Sequence, residues 1–181
     1  MIKNIFAHFG TITKHRWYVM KNCFRAGLYW QGLTHDLSKF SPTEFLRGVR
    51  YYQGTRSPNE EERETQGYSQ AWMHHKGRNK HHFEYWVDID PGTRMYGPVE
   101  MPYRYLAEMF CDRVAACMVY RGKEYDDSAA LQYYLRGHAR EMMHPASAQQ
   151  LEELLTLLSR EGDQVAFRRV RDELKARRNT P

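Results

Sequence analysis

The chain has 181 residues, of which 41% are hydrophobic and 14% aromatic, and it carries a net charge of +5. This composition excludes a disordered chain, and the length allows a hydrophobic core without disulfides. No run approaches 18 apolar residues, no leader opens the chain, and the three cysteines form no C-x-x-C pair, so we expect a soluble cytoplasmic protein without a membrane partner.

The first predicted element is a helix over residues 12–30, where apolar side chains recur at steps of three and four. His15 falls on this apolar stripe between Ile12 and Val19, so its imidazole should point into the protein. Gly27 weakens the end of the helix, because glycine is unfavourable in a helical segment. An ionisable side chain is therefore expected inside the fold near the start of the chain.

A second helix start is marked by Ser41, Pro42 and Glu44. They supply a serine cap, a proline at the first helical position and a glutamate three residues after the cap. The helix should run to about residue 52. His35 and Asp36 are therefore expected on the short segment just before this helix.

A third helix is predicted over residues 68–75, ending at Gly77, with His75 on the same face as Trp72. The charge run before it, residues 59–66, indicates a solvated helix turn or loop. The following stretch "DIDPGTRMYGP" predicts a loop, because its Pro-Gly and Gly-Pro pairs are turn signals.

The longest clear helical pattern covers residues 103–120 and carries Asp112 in the middle of its apolar face. Further amphipathic helices are predicted over residues 127–176, and no convincing strand pair is found. We therefore predict an all-α, single-domain helical bundle over residues 1–181. Its core, at about residues 12–120, should contain the site and be followed by the C-terminal helices.

Two ionisable side chains, His15 and Asp112, are thus predicted on buried faces. A buried carboxylate without a partner costs several kcal/mol or becomes neutral through a shifted pKa. A metal ion removes that cost, because it pairs with the carboxylate and takes the neutral imidazole as a ligand. Together with His35 and Asp36, the chain offers four nitrogen and oxygen ligands without thiolate, a set that suits Mn, Fe, Co, Ni or Zn.

Each of these residues also has an ordinary explanation. His15 alone would more often be a hydrogen-bonded core residue. Asp112 can pair with Arg113, and the dipeptide His35-Asp36 can belong to an ordinary helix start. Because each explanation needs its own separate coincidence, the four residues taken together favour metal ligands.

The order of these four residues resembles the H…HD…D pattern of the HD-domain superfamily of metal-dependent phosphohydrolases. The segment "THDLSKFSPTEF" is similar to that family's "LLHDIGK", with Lys39 at the matching lysine, and "EMFCDRVAA" is similar to its "vaDrlda" helix. The whole signature, H…THDLSKFSPxEF…HHxxRNxHHxxYW…EMxCD, resembles more closely a small bacterial and phage family described only as a domain of unknown function. The resemblance covers roughly residues 12–120.

The resemblance implies an HD-like helical bundle with one or two divalent transition-metal ions. Carried over residue by residue, His15, His35, Asp36 and Asp112 would hold the first ion, and Asp36 would also bridge to a second. The chain departs from the familiar members because His15 lies only twenty positions before His35.

In HD members with two metals, histidines between the HD pair and the last aspartate bind the second ion. This chain has two His-His pairs there, which is not the family's usual spacing. Neighbouring residues on a helix point about 100° apart, so the two members of the first pair are not equivalent ligands. Our order of preference for the second ion is His75, His82, His81 and then His74.

The function that the resemblance implies is hydrolysis of a nucleotide or another small phosphoester by a metal-activated water. Lys39 and Arg78 are expected to neutralise the phosphate. Glu108, one helical turn before Asp112, would carry a proton or orient a ligand. The ordinary alternatives are a solvated charge for Lys39 and a surface salt bridge with Arg113 for Glu108.

Two further functions stay open. Some HD-like proteins use two irons to activate oxygen, and the same ligand types serve both chemistries. A basic helical module that binds nucleic acid without catalysis would account for the sequence pI of about 9.1, the basic tail at residues 168–178 and "HHKGRNKHH". The sequence indicates no oligomeric state.

Overall fold

The computed structural model describes residues 2–178, and its helical architecture confirms the all-α class predicted from the sequence. The helices are α1 (Ile2–Ala26), α2 (Tyr29–Thr34), α3 (Pro42–Arg50), α4 (Pro58–Gln66), α5 (Gln70–Lys76), α6 (Tyr103–Arg121), α7 (Ala129–Arg136), α8 (Ala139–Met142), α9 (Pro145–Glu161) and α10 (Asp163–Arg178). Short 3-10 turns lie at Leu37–Phe40, Phe83–Tyr85 and Gly122–Glu124. No helix within residues 2–178 has both the length and the apolarity needed to cross a membrane.

The central element is α6, which is buried on nearly every side, as expected of a helix whose apolar residues surround its axis. One side of α6 packs along α1, and α7, α9 and α10 pack against it elsewhere. A single apolar cluster extends from Val19 in α1 to Leu174 in α10. The C-terminal helices therefore share the core that carries α1 and α6, as a single domain requires.

The first helix begins at Ile2, ten positions before the predicted start at Ile12. Its buried stripe begins at His8, but the apolar residues before it point largely to solvent, so the pattern of a core-facing helix was incomplete there. The helix ends at Ala26 because Gly27 takes φ = +79°, and the chain then resumes as α2.

The predicted start of α3 is confirmed by its cap, and α5 begins at Gln70, two residues after its predicted start. Ser41 Oγ accepts from the backbone N–H of Glu44 at 3.4 Å, and Pro42 occupies the first helical position of α3. Ser69 Oγ accepts from the Trp72 N–H at 3.0 Å at the start of α5, and Gly77 follows its last residue. These caps orient the two short helices that stand beside the site.

The charge run at residues 59–66 lies in a regular helix, α4, rather than in a loop. Ser57 caps it through the Asn59 N–H at 3.3 Å, and Pro58 is its first residue. Glu62, in the middle of this charged segment, is only 1% exposed. One carboxylate of this charged segment, that of Glu62, is therefore buried rather than solvated.

The predicted loop at residues 88–98 is wrong in part, because the structure contains a two-stranded antiparallel hairpin there, β1 (Val87–Ile89) and β2 (Tyr96–Pro98). Asp90 closes its turn, with Oδ1 accepting from the N–H groups of Gly92 at 3.0 Å and Thr93 at 2.7 Å. The strands are three residues long and largely exposed, so neither alternation nor a continuous apolar run could reveal them.

Candidate metal centre

The first group of inward-facing side chains is held by the pairing of the two longest core helices. His15 lies on the buried stripe of α1, and Asp112 lies on α6 opposite it. His15 Nε2 is 2.9 Å from Asp112 Oδ1. The two residues predicted separately to be buried therefore meet, although only His15 is buried and 16% of the Asp112 side chain is exposed.

The segment between α2 and α3 brings His35 and Asp36 to the same place. Arg16 fixes the backbone there by donating from Nε to His35 O at 2.8 Å and from Nη2 to Leu33 O at 3.1 Å. His35 Nε2 lies 3.3 Å from Asp36 Oδ2 and 3.5 Å from Asp112 Oδ1. A first cluster is thereby complete.

Asp36 has a backbone conformation that few residues adopt. Its φ is +53°, and Arg94 is the other non-glycine residue with positive φ in the described chain. A left-handed aspartate costs on the order of 1–2 kcal/mol, and such conformations cluster at functional sites. The conformation directs the carboxylate into the protein, where the residue is 1% exposed, instead of toward the following turn as a cap.

A second cluster meets the other oxygen of Asp36. His75, on α5, places Nε2 3.3 Å from Asp36 Oδ1, and His81, in the irregular segment after Gly77, places Nε2 3.4 Å from it. His82 completes this group, its ring centroid lying 4.1 Å from that of His81. Asp36 thus stands between the two clusters and presents one oxygen to each.

Two glutamates hold the imidazoles from behind. Glu44 Oε2 accepts from His75 Nδ1 at 2.7 Å. Glu108 Oε1 accepts from His35 Nδ1 at 3.0 Å and lies 3.2 Å from His81 Nδ1. A neutral imidazole that donates through Nδ1 has its lone pair on Nε2, the atom that faces Asp36 in all three rings.

The inward-facing atoms lack hydrogen bonds although they are buried. Between residues 2 and 178, the buried side-chain atoms without a hydrogen-bond partner include both carboxylate oxygens of Asp36 and the Nε2 atoms of five histidines. Those histidines are His15, His35, His75, His81 and His82. Buried polar groups are nearly always paired, so these seven atoms, gathered at one point, form a group that could hold a cation.

The distances also match atoms that share an ion. Two ligand atoms about 2.1 Å from one metal lie roughly 3.0 Å apart at a right angle and roughly 3.4 Å apart at a tetrahedral angle. Most of the contacts described above fall between 2.9 and 3.5 Å, and His15 Nε2 is 4.0 Å from Asp36 Oδ2. Two sets of four residues have ligand atoms within 4.8 Å of one another: His15, His35, Asp36 and Asp112, and Asp36, His75, His81 and His82.

The charges at the cluster strongly perturb its carboxylates. Burial alone would raise the pKa of Asp36, but the facing His35, His75 and Lys39 outweigh it and hold the pKa well below its usual range. The pKa of Asp112 is likewise held well below its usual range, against burial, by His15 and His35. Both carboxylates are therefore ionised and favour a positive partner.

The pKa values of the histidines are shifted in opposite directions. Burial alone would lower the pKa of His35 and that of His75. The charge of Asp36 and the carboxylates that hydrogen-bond to each ring outweigh burial, so the pKa of His35 lies well above its ordinary value and the pKa of His75 is also raised. Burial, assisted by Lys39, lowers the pKa of His15, and burial, assisted by the neighbouring imidazoles, lowers the pKa of His82 well below its ordinary value. The last two rings are thus kept neutral, as metal ligands must be.

The three residues predicted to act on the substrate have different positions. Lys39 Nζ forms an ion pair with Asp36 Oδ2 at 2.6 Å, inside the site. Glu108 is buried behind His35 and His81, which suits the orienting role rather than the proton-carrying one. Arg78 is exposed and donates to His74 O at 3.2 Å, so the structure does not bring its guanidinium to the cluster.

The positions of the four candidate histidines for the second ion do not follow the order of preference taken from the sequence. His81 faces Asp36 as closely as His75 does, although it was ranked third. His74, ranked last, points away and donates to Glu44 Oε1 at 2.6 Å. His81 follows the helix break at Gly77, and no periodicity indicates where a side chain on an irregular segment points.

A cavity of about 850 Å³ opens beside the clusters. His15, His75, His82 and Asp112 line one part of it. Lys39 and Arg113 also line it, and within the described chain the buried Nε of Arg113 has no hydrogen-bond partner. A ligand in this cavity could contact members of both clusters together with Lys39 and Arg113.

Comparison with protein families matches residues 4–157 to DUF5662, described as a family of unknown function. No curated protein and no solved structure matches the chain.

Proposed function

The chain belongs to the DUF5662 family of unknown function. We propose that it is a metal-dependent phosphohydrolase of the HD type. The observation that carries the proposal is the pair of ligand clusters that share Asp36, whose buried ligand atoms include seven without a hydrogen-bond partner in residues 2–178. The substrate is a nucleotide or another small phosphoester.

We assign one ion to each carboxylate oxygen of Asp36, because each oxygen faces a different set of histidines. The first ion would be held by His15, His35, Asp36 and Asp112, and the second by Asp36, His75, His81 and His82. Nitrogen and oxygen donors without thiolate suit Mn, Fe, Co, Ni or Zn. When bound, such ions supply an activated water and a Lewis acid for a phosphate oxygen.

The cavity supports an anionic substrate. Five basic side chains line it, namely Lys39, Arg56, Arg113, Arg121 and Arg136. Some are already paired, since Arg56 contacts Glu64 and Arg121 lies 3.8 Å from Asp126. Lys39 and Arg113 are the best candidates to bind the substrate's negative charge. Lys39 pairs with Asp36, and Arg113 follows Asp112 in the chain.

Lys39 is held in its charged form. Burial alone would lower the pKa of its ammonium, but Asp36 and Asp112 outweigh burial and raise it. We infer that Lys39 neutralises the phosphate while Arg113, with its free Nε, binds a second anionic oxygen. Arg113 therefore takes the place in this proposal that Arg78 had in the sequence-based prediction.

The test combines elemental analysis with activity. Purified wild-type protein should contain one or two equivalents of a transition metal and release phosphate from a panel of nucleotides and phosphomonoesters with Mn²⁺, Co²⁺ or Ni²⁺. Asp36→Asn and Asp112→Asn should lose metal, whereas Glu62→Gln, which alters a buried carboxylate outside the clusters, should retain it. Full metal occupancy in both aspartate variants would reject the ligand assignment.

The same experiment separates the other functions. A di-iron oxygenase would contain iron and turn over an organic substrate only under oxygen, with no phosphate released. A nucleic-acid-binding module would bind with steep salt dependence and ignore chelators. Either result would replace the phosphohydrolase proposal.

A further inference from the structure

The first helix has a second apolar stripe that faces away from the core. Its members are Ile2, Phe6, Phe9, Trp17 and Phe24, which expose between 38% and 72% of their surface. They recur at steps of three, four, seven and eight, so they lie on one side of α1. The core-facing stripe, which contains His15, lies about a third of a turn away.

The exposed stripe continues onto the next two elements. The Phe9 ring lies 5.9 Å from that of Phe40, and Phe24 lies 5.3 Å from Tyr29. Beyond these contacts, Trp30 is 73% exposed, Leu33 51% and Leu37 53%. We call this surface the N-terminal face, and its members are Ile2, Phe6, Phe9, Trp17, Phe24, Trp30, Leu33 and Leu37. Exposed apolar side chains grouped on neighbouring elements in this way indicate an interaction site.

The segment that carries most of the N-terminal face is basic, and of its cations Arg25 pairs with Asp163 at 2.9 Å. The first 35 residues contain five Lys or Arg residues and no Asp or Glu, and this excess equals the net charge of +5 of the whole chain. Lys3, Lys14 and Lys21 are exposed and follow one another at steps of eleven and seven, along one edge of the stripe. Lys21 Nζ lies 5.9 Å from the Trp17 ring centroid.

We propose that the N-terminal face binds the surface of an anionic phospholipid bilayer, with α1 parallel to the membrane plane. Aromatic and aliphatic side chains beside a row of lysines are the features of helices that lie in a membrane interface. A second copy of the chain would bring two sets of lysines together without an acidic residue among the first 35 to pair them. A nucleic acid would satisfy the lysines but not the exposed apolar stripe.

This proposal differs from the sequence-based expectation of no membrane partner. That expectation rested on the absence of a spanning segment, and a helix that lies on a bilayer needs no such segment. The proposal is independent of the metal site, because the N-terminal face contains none of the candidate ligands.

The test uses co-sedimentation of the full chain with vesicles of phosphatidylglycerol and phosphatidylcholine, compared with phosphatidylcholine alone. Wild-type protein should bind the anionic vesicles and release them as salt rises. The triple variant Lys3→Gln, Lys14→Gln, Lys21→Gln should bind about a hundredfold more weakly, because each lysine near an anionic surface contributes to binding. The double variant Phe6→Ser, Trp30→Ser should lose about tenfold or more.

Matched controls remove equivalent groups elsewhere. Arg160→Gln, Arg168→Gln, Lys175→Gln removes the same charge from α9 and α10, and Tyr96→Ser removes an aromatic side chain that is 77% exposed. Both should bind like wild type. Equal binding to neutral vesicles, no binding at all, or a dimer that only Phe6→Ser, Trp30→Ser dissociates would overturn the proposal, and the last result would identify a second copy as the occupant.

Discussion

Asp36 and Glu62 are equally buried carboxylates in opposite surroundings: each is 1% exposed. Glu62 is fully satisfied by the protein, accepting from Arg47 Nη1 at 2.7 Å, from Ser69 Oγ at 2.6 Å and from Ala71 N at 3.2 Å. Both oxygens of Asp36 lack a hydrogen bond and face imidazole nitrogens.

This difference distinguishes a structural carboxylate, Glu62, from a proposed metal ligand, Asp36. Glu62 joins α3, α4 and the start of α5, and its burial is compensated when the chain folds. The burial of Asp36 is compensated only in part, by the ion pair with Lys39 and by histidines whose own charge depends on protonation. We therefore expect Glu62 to contribute stability without metal, and Asp36 to bind metal.

The largest expected effect is that of Asp36→Asn on metal content. Because Asp36 contributes to both clusters, this variant should lose both ions and all metal-dependent activity. A chelator should lower the melting temperature of wild-type protein, since ligand removal withdraws binding energy from the native state, and should leave that of Asp36→Asn unchanged. An equal response of the two proteins to the chelator would place the metal elsewhere.

Glu62→Gln should show the reverse behaviour. The substitution leaves the Arg47 guanidinium without its carboxylate partner, so we expect a loss on the order of 3 kcal/mol in the free energy of unfolding. Its metal content should match that of wild type. Urea unfolding of the metal-free proteins measures the loss, and a stability within about 0.5 kcal/mol of wild type would contradict the structural role.

Glu108→Gln should weaken metal binding without abolishing it. An amide at this position holds the His35 and His81 rings less firmly and no longer polarises them, which lowers metal affinity by roughly 10- to 100-fold. Competition with a chromophoric chelator gives the affinity. Unchanged affinity would mean that Glu108 does not position the imidazoles.

The smallest expected effect concerns pH. Burial alone would raise the pKa of Glu62, but the Ser69, Arg47 and Ala71 hydrogen bonds outweigh it and lower the pKa below the ordinary 4.5. A lowered folded-state pKa contributes stability that is present above the unfolded value and lost as pH falls through the folded value. The stability difference between metal-free wild type and Glu62→Gln should therefore narrow below about pH 4.5. A gap that stays constant down to pH 3 would contradict this sign.

Long periodic helices explain how much of the site could be predicted from the sequence. His15 lies on the buried stripe of α1, so its burial followed from spacing, whereas the predicted apolar face of α6 that carries Asp112 is half-buried. His35 and Asp36 were indicated by their position before the capped helix α3, although the left-handed backbone of Asp36 leaves no periodic signal.

The parts that could not be predicted are short or irregular. His81 lies after a helix break, and only its neighbours in the fold determine its direction. The exposed N-terminal end of α1 and the hairpin lack the contrast between buried and exposed faces on which pattern recognition depends. The burial of Glu62 could not be predicted, because the sequence of a charge run does not distinguish a buried glutamate from a solvated one.

The most direct test of the central claim is anomalous diffraction at the absorption edge of the bound metal, from a crystal of the wild-type protein. The account predicts one or two peaks, each about 2.1 Å from an Asp36 oxygen and from the Nε2 atoms of the facing histidines. An Asp36 carboxylate that is hydrogen-bonded to protein or water, with no peak beside it in protein purified and crystallised with the metal, would contradict the account.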